Sequence, residues 1–144
     1  MKKILIASHG KTASGIVSTI SMFLSTAELC YVDAYVDDPT GNYDHEITDF
    51  LNLLSEEDDA YIFTDIYGGS VNQRIIDLVL REGKDKKIKI ITNCNVPIVI
   101  ELLMRENELS DEEIDSIIEN CKPVLIIPNH IQIDEEISDD EFFG

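Results

Sequence analysis

Residues 59–82, DAYIFTDIYGGSVNQRIIDLVLRE, decide the fold. Ala60 to Thr64 form a short apolar run that passes through Asp65 into Tyr67-Gly68-Gly69-Ser70, a glycine-rich turn. From Val71 the period changes, and Ile75, Ile76, Leu78 and Val79 recur at helical spacing and are expected to face inward. The segment therefore reads as a strand, a turn and a helix over 71–82. The same plan appears on either side of it.

Upstream, residues 3–7 are a β-branched run ending at Ser8-His9-Gly10, and ASGIVSTISMFL (13–24) carries Ile16, Val17, Ile20, Phe23 and Leu24 at helical spacing. CYVDAYV (30–36) reads as a second strand, DDPTGN (37–42) as a turn and YDHEITDFLNLL (43–54) as an amphipathic helix. Downstream, KKIKIITN (86–93) is a fourth strand. Pro97 suits the first turn of a helix over 97–106, because its missing N–H would be unpaired there in any case. Ser110 and Glu113 form a capping box that opens a fifth helix.

Strands alternating with helices in this way require right-handed crossovers and a parallel sheet covered on both faces. The expected fold is α/β and doubly wound, with a central, mainly parallel sheet of four strands. The run VLIIP (124–128) is a further strand with no later helix, either at an edge of the sheet or exchanged between subunits. One domain over 1–133 is expected, followed by an acidic, flexible tail over 134–144.

A net charge of -18 repels phosphate backbones and anionic lipid surfaces, so no nucleic acid and no direct membrane partner are expected. Three scattered cysteines, Cys30, Cys94 and Cys121, make neither a disulfide framework nor a zinc cage. With MKKILIASHG too short in apolar content for a signal peptide, a cytoplasmic setting is expected. GxGxxG, GxxxxGKS, GxSxG and HExxH patterns are all missing, so the chemistry is expected to need neither cofactor nor metal.

Ligands of open parallel sheets bind beyond the carboxyl ends of the strands, where successive connections diverge. Three loops end there: SHGKT, TDIYGGS and TNCNVP. If the first and third strands are neighbours, His9 and Asp65 emerge side by side. The carboxylate then accepts the Nδ1–H of the imidazole and leaves Nε2 as a nucleophile. Glycine-exposed N–H groups at the next helix start would hold an anion, which points to a phosphohistidine. Singly, each feature has a plainer reading: a packing histidine, a turn aspartate, a chain reversal at GGS. Their convergence on one sheet edge is what carries weight. Cys94 is a reactive thiol or, more ordinarily, a loop cysteine; His45 and His130 read as surface and structural residues.

The motifs SHGKTASGI, FTDIYGGSVNQ and ITNCNVPIVIELL, in that order, resemble the mannose-type enzyme IIA components of the bacterial phosphoenolpyruvate-dependent sugar phosphotransferase system (PTS). The resemblance covers residues 1 to about 106. It implies a phosphotransferase with a covalent phosphohistidine intermediate: His9 takes a phosphoryl group from the carrier HPr and passes it to an enzyme IIB, Asp65 orients His9, and Gly69 and Ser70 hold the phosphoryl oxygens. It also implies a homodimer joined by a C-terminal strand, and contact with a membrane only indirectly through permease components. Val71 departs from the proline common after GGS, and Asn93 from a glycine before the Asn-x-Pro turn. The second change is mild, since Asn tolerates left-handed backbone. A phosphotransfer subunit of a dihydroxyacetone kinase and a regulatory module switched by His9 phosphorylation are the alternatives.

Overall fold

The computed structural model describes residues 1–26 and 29–130. Strands β1 (Lys2–His9), β2 (Leu29–Ala34), β3 (Asp59–Thr64) and β4 (Ile88–Ile91) alternate with helices α1 (Thr12–Ile20), α2 (Asp44–Leu53), α3 (Ser70–Arg81) and α4 (Val96–Met104), and α5 (Asp111–Asn120) follows. The strands form one sheet in the order β2-β1-β3-β4, and every pairing is parallel. Because β1 connects outward to β2 and β3 outward to β4, the chain diverges between the ends of β1 and β3. That is the switch point where such sheets bind ligands.

The central strands are buried on both faces, so apolar residues alternate between two cores rather than between core and solvent. Ile4, Ile6, Tyr61 and Phe63 point to one face, where Ile16 and Ile20 of α1, Leu102 of α4 and Ile114 and Ile117 of α5 cover them. Leu5, Ala7, Ala60 and Ile62 point to the other, beneath Ile47 and Leu51 of α2 and Ile75 and Val79 of α3. Tyr61 and Phe63 are fully buried, and truncating Phe63 to alanine would cost about 3–5 kcal/mol.

The elements expected up to the fifth helix are present with shifted ends. Helix α1 stops at Ile20, so Phe23 lies beyond it and is half exposed, and Leu24 is only partly buried. Ile76, expected inward, is on the outer face of α3. The second strand ends at Ala34 rather than at 36, because Tyr35 adopts a left-handed backbone with φ 68° that no strand continues through. Pro97 is in the first turn of α4 behind the cap Asn95, whose side chain accepts the Ile98 N–H, and the Ser110–Glu113 capping box closes as expected. Asn93 is in the left-handed region, φ 53°, where glycine was the expected alternative.

Residues 124–127 pair with no strand among the described residues, so VLIIP is not an edge strand of this chain's own sheet. Val124 and Leu125 are 77% and 85% exposed, since no element among the described residues covers them. The expected tail over 134–144, and the domain end at 133, lie outside the described residues.

Candidate active site at the carboxyl edge of the sheet

Pairing of Ala7 with Thr64 brings the next residues of the two strands together at the switch point. There one carboxylate oxygen, Asp65 Oδ2, accepts both the His9 backbone N–H and the ring nitrogen Nδ1, each at 2.9 Å. Asp65 Oδ1 accepts the N–H of Ile66 at 3.0 Å. Burial on its own would raise the Asp65 carboxyl, but the two bonds from His9 outweigh it and hold the carboxyl below its ordinary value. An ionised carboxylate only accepts, so Nδ1 carries the proton and Nε2 presents its lone pair.

Nε2 lies 3.0 Å from Ser70 Oγ. As Nε2 is the acceptor, the Ser70 hydroxyl donates to it. Ser70 Oγ is also 3.1 Å from the Tyr35 hydroxyl, which must then donate to Ser70. The Tyr35 ring stacks on the imidazole, with centroids 5.5 Å apart and planes 15° from parallel. Sequence reasoning missed Tyr35: it read as the next residue of an alternating strand, and nothing in a tyrosine announces φ 68°. The turn composition of DDPTGN was the one available sign that the strand ends early.

The loop before α3 is fixed from three sides. Gly68, with φ 74°, turns the chain in a region that disfavours a side chain, and its N–H is accepted by Asn72 Oδ1 at 3.2 Å. The buried Asn72 also donates from Nδ2 to Thr64 Oγ1 at 2.9 Å. Asn93, from the third loop, accepts the N–H of Tyr67 at 3.1 Å. Gly69 donates to the Ile66 carbonyl at 3.0 Å. The amides of Gly68 and Gly69, expected to be open donors, are thus occupied within the loop. The donors left over at the helix start are those of Ser70, Val71 and Asn72.

The helix starts along this edge differ. In α1, Ser8 Oγ accepts from Ala13 N–H at 2.7 Å and Asp33 Oδ1 from Ser14 N–H at 3.0 Å. In α4, Asn95 caps. Helix α3 has no side-chain cap and no acidic residue in its first turn. Its positive end, directed at the space beside Nε2, has no countercharge from its own sequence.

Cys94 belongs to the same edge, with its N–H on the Thr64 carbonyl at 3.0 Å. Burial, and then the nearby Asp65 charge, push its thiol up to about 12, which favours the plainer reading of a loop cysteine over a reactive thiol. His45 is exposed on α2 and His130 is exposed in a short turn over Pro128–His130. Among the described residues no three His, Cys, Asp or Glu side chains converge to hold a metal ion. No helix among them is long and apolar enough to cross a membrane.

Residues 3–120 match the family EIIA-man, PTS system fructose IIA component. Solved structures share the fold. A candidate permease of the phosphoenolpyruvate-dependent sugar PTS from Klebsiella pneumoniae subsp. pneumoniae aligns over 83% of this chain and 85% of its own, with 21% identity and a TM-score of 0.69. The PTS IIA protein associated with the fucose utilization operon of Streptococcus pneumoniae aligns over 83% and 87%, with 23% identity and a TM-score of 0.62. The mannose/sorbose-specific IIA subunit of Enterococcus faecalis aligns over 89% and 98%, with 18% identity and a TM-score of 0.64. At such identities these likenesses speak for the fold, whereas the family match spans the strands, the helices and every residue of the His9 edge. The chain belongs to the mannose-type enzyme IIA family of the sugar phosphotransferase system.

Proposed function

We propose that this chain is a phosphohistidine carrier of a sugar phosphotransferase system, accepting a phosphoryl group from HPr on His9 and passing it to an enzyme IIB. The observation that supports this best is the bonding of His9: Nδ1–H is tied to Asp65, which leaves Nε2 as the basic nitrogen beside the uncapped start of α3.

In the transfer, the Nε2 lone pair attacks phosphorus in line with the donor's N–P bond. That bond breaks, and its electron pair returns to the donor imidazole. His9 keeps its Nδ1 proton, so its ring becomes cationic as the N–P bond forms, and the Asp65 carboxylate compensates that charge. The Ser70 hydroxyl and the N–H groups at the start of α3 then face the phosphoryl oxygens; Gly69 serves as the cap residue whose missing side chain keeps them open. No proton has to leave the site, and transfer runs equally well in reverse toward enzyme IIB. Two proteins holding two imidazoles in line supply the proximity.

This role places the protein in the cytoplasm, where HPr and the soluble IIB partners meet it. A homodimer fits the exposed run 124–127 and the position of β4 at the end of the sheet, where a strand from a second copy would pair. A monomeric mass by sedimentation would count against the dimer.

The carrier role is tested by incubating the protein with phosphoenolpyruvate, enzyme I and HPr and locating acid-labile, base-stable phosphate by mass spectrometry. One phosphate on His9, lost in His9→Ala, is expected. Stoichiometric labelling of His9→Ala, or none of the wild type with active partners, would overturn the assignment.

A further inference from the structure

The turn between β2 and α2 is shaped around one side chain. Tyr35 sits at φ 68°, a conformation that is strained for a bulky residue and persists only where the surroundings impose it. Its ring is held on several sides. Tyr43, buried at the start of α2, meets it edge-on with centroids 6.0 Å apart. Gly41 packs against it so closely that a β-carbon there would fall 2.2 Å from Cε1. The third contact is the imidazole of His9, and the hydroxyl reaches Ser70. A turn that accepts backbone strain and a flush glycine to place one ring has that placement as its purpose.

We propose that Tyr35 is a positioning residue for phosphoryl transfer, acting through Ser70 and through the plane of the His9 ring; this rests on the carrier role of His9. By donating to Ser70 Oγ, the Tyr35 hydroxyl directs the Ser70 proton at Nε2. In the resting protein the Nε2 lone pair is thereby held by the Ser70 hydroxyl. When the N–P bond forms, the Ser70 O–H turns from Nε2 to a phosphoryl oxygen and Tyr35 continues to donate to it. Hydrogen bonds are exchanged and no proton changes owner. The stacked ring prevents the imidazole from rotating about its tether to Asp65, so the lone pair keeps the line of attack.

The test is a double-mutant cycle of Tyr35→Phe and Ser70→Ala with two readouts. Tyr35→Phe keeps the stack and removes the hydroxyl, with its bond to Ser70 and its side-chain contact to Tyr43, so rapid-quench phosphorylation by phospho-HPr should slow about 3- to 10-fold at saturation, with the half-saturating HPr concentration unchanged. In the Ser70→Ala background the same change should be neutral, because the hydroxyl has lost its target. Tyr35→Leu, which also removes the stack, should slow transfer further.

The second readout is the ¹⁵N resonance of His9 Nε2 in the unphosphorylated protein. Tyr35→Phe should shift it when Ser70 is present and leave it unmoved in Ser70→Ala. Equal slowing in both backgrounds, or an Nε2 resonance indifferent to Tyr35→Phe, would overturn the proposal. Should the wild type accept no phosphate, the carrier reading fails by itself, and the ¹⁵N cycle still decides whether Tyr35 controls the Ser70–His9 bond.

Discussion

Replacing Asp65 by asparagine changes one atom and leaves no good arrangement for the others. With the amide oxygen in the place of Oδ2, both bonds from His9 survive as neutral ones, but the NH₂ then meets the N–H of Ile66, where Oδ1 now accepts. With the amide turned over, Ile66 is satisfied and the NH₂ faces the backbone N–H of His9. The ring is then driven to the tautomer with its proton on Nε2, which removes the nucleophile. Either way one backbone donor is orphaned, at about 1–3 kcal/mol, and the charge-assisted part of the His9 bonds, about 1 kcal/mol each, is lost. The Asp65 side chain is 14% exposed, so water recovers only part of this. A loss of about 2–4 kcal/mol is expected, equivalent to a fall of roughly 1–2.5 M in the urea midpoint at an ordinary denaturant slope. Transfer to His9 should slow by about 10- to 100-fold, because the ring that becomes cationic has lost its counterion. Urea unfolding and rapid-quench labelling from phospho-HPr measure the two effects. A variant with wild-type stability and wild-type transfer would refute the reasoning from the shared carboxylate.

The pH dependence has a definite sign. The native Asp65 carboxyl titrates below its ordinary 3.8, so the unfolded chain binds more protons in that window; the stabilisation is complete above it and lost as pH falls through the depressed native value. Urea titrations should therefore show wild type and Asp65→Asn converging at low pH, and a constant gap would contradict this. Gly41→Ala combines φ 78° with the collision against Tyr35; it should lower Tm by roughly 3–8 °C, for about 1–2 kcal/mol, and move the His9 ring-proton resonances as Tyr35 shifts. Alkylation at pH 8 followed by peptide mass spectrometry should modify the exposed Cys30 first and Cys94 last, since Cys94 is held near 12; early labelling of Cys94 would show its loop opens.

How much of this was legible in the sequence varied with the kind of interaction. The alternation of strand and helix was readable because two-sided burial of a parallel sheet leaves continuous apolar runs such as ILIA and AYIF. The capping box at Ser110 and the first-turn position of Pro97 were readable because both are local. His9 and Asp65 were predicted to meet on one condition, that the first and third strands pair, and the sheet order meets it. What escaped depends on contacts between distant residues. Tyr35 reaches His9 and Ser70 only because one strand stops two residues early, and Asp33 caps α1 from another strand's end. The amides of Gly68 and Gly69 looked open from their sequence, yet Asn72 and the Ile66 carbonyl occupy them. The apolar pattern of 124–127 read as a strand because composition reports a preference for pairing and not whose edge supplies it.

On the proposed carrier role, the bare start of α3 also bears on how readily the phosphoryl group can be handed on. A carrier must keep the transfer potential of its phosphoramidate close to that of its donor, so every kilocalorie with which the protein favours its phosphorylated form is subtracted from the push toward the next acceptor. A lysine or arginine in the loop over 65–70 would make that bond comfortable and the carrier a sink. Peptide N–H groups and one hydroxyl would solvate the oxygens about as water does, with an attraction that ends at the first turn. The equilibrium constant for relay should therefore stay near unity in both directions, and the direction of flow is left to the consumption of phosphate downstream.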